Sequence, residues 1–87
     1  MEIQIEPHTL ERAEERGSNG DEVKDVLENG FEIPARGRRK GKAKVYNFNQ
    51  ERLGKYYEHK RVEVIYVEEK EVFVTVTVYV FYGEWKA

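Results

Sequence analysis

The chain predicts an α+β domain, with two N-terminal helices packed on one face of a curved antiparallel sheet of four to five strands. Three observations lead there. Val72 to Tyr82 reads VFVTVTVYVFY, every position β-branched or aromatic, with no charge, proline or glycine, so it predicts a long central strand. A second long strand, from Tyr56 to Val67, precedes it and turns back through Glu68 to Glu71. Two capped segments with helical spacing come before both.

Taken in order, Glu2 to Ile5 alternates over too few residues for more than a short edge strand. Pro7 suits the first turn of a helix running to about Arg16, where Gly17 supplies a left-handed cap. The apolar stripe of this helix is thin, Leu10 and Ala13. The next helix is capped by Asn19 or Ser18, with Glu22 or Asp21 in the capping-box position. Val23, Val26 and Leu27 give it the better amphipathic face, a lid for the sheet, and Gly30 ends it. Phe31 to Ile33 starts a short strand that Pro34 stops. Arg36 to Lys44 reads as a cationic loop, followed by a strand at Ala43 to Phe48 and a polar connection from Asn49 to Lys55.

Strict alternation would sort the last strand into two faces. Val72, Val74, Val76, Val78 and Val80 go to the helices. Phe73, Thr75, Thr77, Tyr79 and Phe81 go to an open side. If Val62, Val64 and Tyr66 join the valines, His59, Arg61 and Glu63 stand beside Thr75, Thr77 and Tyr79. A slip of one residue would place Glu58 and Lys60 there instead.

With 87 residues and 39% hydrophobic content, the chain makes one domain, 1–87, around a modest core. It has no cysteine, which excludes disulfides and thiolate metal sites and suits a cytoplasmic protein. No apolar run precedes the charged residues, so no signal peptide or membrane span is expected, and the valine-rich run is half the length of a spanning helix. The net charge of −2 hides a segregation: residues 1 to 34 hold 10 acids and 3 bases, and residues 35 to 44 hold 6 bases and no acid. Such separation matters more than the sum.

On the first helix His8, Arg12 and Arg16 fall at i, i+4 and i+8, so an imidazole and two guanidiniums line one side. The segments His8-Thr9-Leu10-Glu11-Arg12 through Arg16-Gly17, Val23 to Gly30, and Thr75-Val76-Thr77-Val78-Tyr79 together resemble an uncharacterised domain family of bacteria and archaea. Its members carry a His and spaced Arg residues on helix one and end in a V-x-T-V-Y strand. That family is similar in fold to the metal-independent ribonuclease toxins, the RelE-like, barnase and colicin ribonuclease group. The resemblance covers nearly the whole chain through short motifs. It implies a site at His8, Arg12, Arg16, Thr77 and Tyr79, and it admits an antitoxin protein as partner.

Metal-free RNA cleavage needs a base for the 2′-OH, an acid for the leaving oxygen, and donors for the charge on phosphorus. His8 suits acid or base work, Glu63 a complementary base, Arg12 and Arg16 a phosphate clamp, and Thr77 with Tyr79 its positioning. Ordinary helix ion pairs and strand propensity explain the same residues without any chemistry. Arg36, Arg38, Arg39, Lys40, Lys42 and Lys44 form a run suited to a nucleic-acid backbone, with Tyr46, Phe48, Tyr56 and Tyr57 as stacking platforms. Two histidines without paired spacing make a metal site improbable, and no motif calls for a cofactor. The function this supports is an RNA-acting domain, plausibly a metal-independent endoribonuclease. The other class is a non-catalytic interaction module, a homodimer burying Phe73, Phe81, Trp85 and tyrosines on the open face.

Overall fold

The computed structural model describes residues 2–86. Along the chain it forms β1 (Glu2–Gln4), α1 (Pro7–Glu15), α2 (Gly20–Asn29), β2 (Phe31–Ile33), β3 (Lys40–Arg52), β4 (Lys55–Glu69) and β5 (Val72–Gly83). The strands make one sheet in the order β1-β5-β4-β3-β2. β1 runs parallel to β5, so the sheet is mixed rather than wholly antiparallel. Each later strand reverses its predecessor, so β1 and β2 run in opposite directions at the two edges of the sheet, and the two helices carry the chain from one edge to the other.

Pro7 occupies the first turn of α1, and Gly17 beyond its end has φ +88°. The positive φ calls for glycine, and a Cβ there would also meet the Tyr82 hydroxyl, which would have to move. Of the two candidate caps of α2, Asn19 is the one used: its side chain accepts from the Glu22 N–H at 2.8 Å. Ser18 instead donates to the Glu22 carboxylate. On α1 the buried pair is Thr9 and Ala13, while Leu10 is more than a third exposed. The expected stripe is therefore turned by one residue, because α1 lies along β5 and aims Thr9 into the interface.

Ala13 of α1 and Val23, Val26 and Leu27 of α2 form one buried cluster with Val62, Val64, Tyr66, Phe73 and Val78. Removing these side chains from water is the main force holding the layers together. The register of the long hairpin places Val64 opposite Val78 and Glu63 opposite Tyr79. The alternation of β5 breaks in the middle. Ile65 faces Thr77 while Tyr66 faces Thr75, leaving Val76 as an extra residue on β5. This bulge shifts the side-chain alternation by one. Phe73 and Thr75 are buried with the core, whereas Val72 and Val74 are not. Beyond the bulge Val78 is buried, and Tyr79 and Phe81 are exposed. A continuous valine face does not exist, and Phe73 cannot serve an open-face dimer.

The loop expected over residues 36–44 ends earlier, because β3 already begins at Lys40 and continues to Arg52. β4 is reached through a two-residue turn with Leu53 at φ 52° and Gly54 at φ 82°. β4 and β5 turn through Lys70 and Glu71, both with positive φ and neither glycine. Tight primed turns follow the twist of the strands closely enough to impose this on side-chain residues.

Candidate functional site

β1 pairs only with Val72 to Val74, so the outer edge of β5 beyond them is closed by α1 side chains. His8 Nε2 lies 2.9 Å from the Val76 carbonyl, and Arg16 Nη1 donates to the Val78 carbonyl at 2.6 Å. The Glu6 N–H donates to Thr75 Oγ1 at 3.0 Å. Occupied carbonyls of this kind keep an edge from pairing with another chain. The same contacts bring the helix stripe to the strand motif. The Arg16 guanidinium lies 5.9 Å from the Tyr79 ring centre. Arg12 occupies the intervening turn and is exposed. Since a carbonyl only accepts, Nε2 of a neutral His8 carries the hydrogen, and the lone pair is on Nδ1.

Thr77 and Tyr79 stand on the uncovered side of the sheet, opposite Ile65 and Glu63. Arg61 Nε donates to Glu63 Oε2 at 2.8 Å, so this carboxylate is tied to its neighbour two residues away. The register places Phe81 opposite Arg61, and Phe31 opposite Ala43 in the next strands. The Arg61 guanidinium lies 5.2 Å from the Phe31 ring centre. Phe31, Tyr79 and Phe81 are 49%, 44% and 46% exposed. The backbone N–H of Trp85 donates to His59 Nδ1 at 3.1 Å, holding the C-terminal segment against β4.

The six cations divide into two sets. Lys42 donates to the Leu27 carbonyl near the end of α2, where free carbonyls favour cations. Lys44 meets Asp25 at 2.6 Å and Lys40 meets Glu68 at 3.0 Å. These three are fastened to the fold. Arg36, Arg38 and Arg39 remain exposed between β2 and β3. The expected stacking platforms do not accompany them. Tyr46 donates to Asp25 at 2.6 Å, while Phe48 and Tyr57 pack on the Tyr82 ring at 5.1 and 5.5 Å between centres. Strand rise sets Phe48 roughly 26 Å from the start of β3.

Asp25 is a hub that spacing alone would reveal only in part, through its i, i+4 partner Asn29 on α2. Hydrogen bonds from Lys44, Tyr46 and Asn29 lower its pKa to about 2. Burial and the same hydrogen bond push the Tyr46 phenol up. Lys60 is 8% exposed. It is bridged to Glu22 at 2.8 Å and donates to the Gly17 carbonyl at 3.0 Å. Among the described residues there is no cluster of three or more metal-ligating side chains, and no helix is long and apolar enough to cross a membrane. No family model, curated protein or solved structure matches the chain.

Proposed function

We propose that this domain acts on RNA as a metal-independent endoribonuclease, with its reacting groups along the outer edge of β5. The observation that carries the reading is the hydrogen-bond distance between His8 Nε2 and the Val76 carbonyl. It orients the ring and leaves Nδ1 as the basic nitrogen, much as a second hydrogen bond orients catalytic imidazoles elsewhere. Nδ1 removes the proton from a ribose 2′-OH; the freed oxygen attacks the adjacent phosphorus. The bond from phosphorus to the 5′-oxygen breaks, giving a 2′,3′-cyclic phosphate, and water protonates the leaving oxygen. Arg12 and Arg16 hold the phosphate and offset its growing charge. Thr77 and Tyr79 flank it, and Glu63 is a second base of the site. The short motifs at His8, Arg12, Arg16, Thr77 and Tyr79, which resemble those of an uncharacterised family similar in fold to the toxin-type ribonucleases, point the same way.

Incubating the protein with total RNA in EDTA tests this. The expected result is fragments ending in 2′,3′-cyclic phosphate, with loss of cutting in His8→Ala and His8→Gln. Intact RNA with the unaltered protein would sink the proposal.

A second reading is favoured by Phe31, Tyr79 and Phe81, which stand about half exposed on the uncovered face. There the domain is an interaction module that covers these rings with a second copy, or with an antitoxin-like protein. Sedimentation over a hundredfold concentration range tests the second copy: a monomer throughout removes the homodimer.

A further inference from the structure

Beyond Gly83 the chain leaves the sheet ladder and is held by a side chain instead. The Trp85 N–H donates to His59 Nδ1 at 3.1 Å. Gly83 is the register partner of His59, and a Cβ built on it would lie 3.4 Å from the indole. The Trp85 ring therefore folds back beside that pair. Lys86 goes on to a hollow that Phe31 and Val45 also line. Residues 83–86 thus form a strap from the end of β5, across the uncovered side of β4, to β2 and β3. Among the described residues no other hydrogen bond fastens residues 84–86. We propose that this strap is a pH-sensitive latch, closed while the His59 ring is neutral and released when Nδ1 takes a proton.

A backbone N–H only donates, so the ring nitrogen facing it must hold a lone pair. The neutral His59 then carries its hydrogen on Nε2. An imidazolium has N–H on both nitrogens. Protonation turns the acceptor into a second donor, and the Trp85 N–H loses its partner. The groups around His59 leave this change of charge to its ring. Tyr57 and Arg61 flank it two residues away on β4, and Arg61 is paired with Glu63. Asn47 stands opposite on β3 and Gly83 on β5, while Glu84 and Lys86 adjoin Trp85 in the strap. Between about pH 8 and pH 5 imidazoles ordinarily change charge, whereas carboxyl, phenol, ammonium and guanidinium groups keep theirs. The closed state binds one proton fewer than the open one, so the latch is shut above that window and opens as pH falls through it. None of residues 83–86 belongs to the buried cluster, so opening bares the indole and the surface near Phe31 and Val45 with the domain still folded. Neither an RNA substrate nor a second copy is needed for this.

Trp85 is the only tryptophan, so its fluorescence reports the strap directly. Titrating the full chain from about pH 8 to pH 5 should move the emission reversibly to longer wavelength in one single-proton step, with constant far-UV circular dichroism. His59→Asn, whose side-chain carbonyl accepts a hydrogen bond and does not titrate, should lose the step, as should His59→Ala. His8→Asn should keep it, because His8 lies against Val76 on the β5 edge. Nitrogen-15 spectra need no variant: at the alkaline end the His59 ring should show a bare Nδ1. A proton on Nδ1 there, or an emission flat across the window, overturns the latch. A step that survives in His59→Asn or disappears in His8→Asn also overturns it, because another group would then be titrating. Loss of circular dichroism at the same midpoint does so too, since the transition would be unfolding.

Discussion

The two sides of the sheet differ in a direction opposite to the usual one. Toward α2, β3 directs Lys42, Lys44 and Tyr46, and each ends on an acceptor supplied by that helix. On the uncovered side stand Phe31, Tyr79 and Phe81, half exposed, with the Arg61–Glu63 pair beside them. Polar groups at the margin of the covered side are thus structural, because each meets a partner that replaces water. The rings on the other side meet the Arg16 and Arg61 guanidiniums and one another and are still half exposed, so that side offers apolar surface for contact.

The comparison can be broken from the covered side first. Leu27→Ala, at a position 1% exposed, should cost about 2–5 kcal/mol in urea denaturation. A cost under about 1 kcal/mol would mean the helix layer is not what buries the sheet. Lys60→Ala leaves Glu22 without its cation and Gly17 without a donor, so a loss of about 3 kcal/mol is expected. The double change Lys60→Met with Glu22→Met should recover most of it. Were the double variant as unstable as the single one, packing rather than charge would explain Lys60.

Gly17→Ala should lose about 1–2 kcal/mol, since alanine resists the positive φ and its methyl meets Tyr82. The Asp25 cluster gives a smaller, pH-dependent effect. Its folded pKa is depressed from 3.8 to about 2. Its contribution is therefore complete above pH 4 and fades as pH falls toward 2. Asp25→Asn should flatten the loss of stability across that window, and an unchanged acid profile would discard the hub. The smallest effect belongs to the uncovered side. Phe81→Thr should move stability by no more than about 0.5 kcal/mol and reduce any self-association measured by sedimentation. A larger loss would show that the ring is part of the core.

Much of the architecture was legible in local chemistry. Pro7, Gly17 and Asn19 mark helix ends through φ restriction, positive φ and side-chain capping. Val62, Val64 and Tyr66 declare the inner side of β4 by strict alternation. The bulge at Val76 was not legible, because a run of valines and threonines fits either side of a sheet equally well. Reading through it misplaced Phe73 and Thr75. The cations at 40, 42 and 44 read as loop for a similar reason: lysine alternating with small residues looks solvated until Glu68 of β4 meets the first and α2 offers the others a helix-end carbonyl and Asp25.

By itself the order of residues determined the two helices and where they stop, the central part of each strand, and that a histidine and two arginines share one side of α1. Each is a matter of neighbours within a few positions, where backbone preference and periodicity act alone. Only the tertiary structure decided that β1 joins β5 in parallel, that Val76 bulges, and that His8 and Arg16 close the β5 edge at Val76 and Val78. The parallel pairing and the edge contacts depend on groups 60 or more residues apart, and the bulge on the register of a long hairpin, all finding the one arrangement in which buried surface and backbone hydrogen bonds are satisfied together.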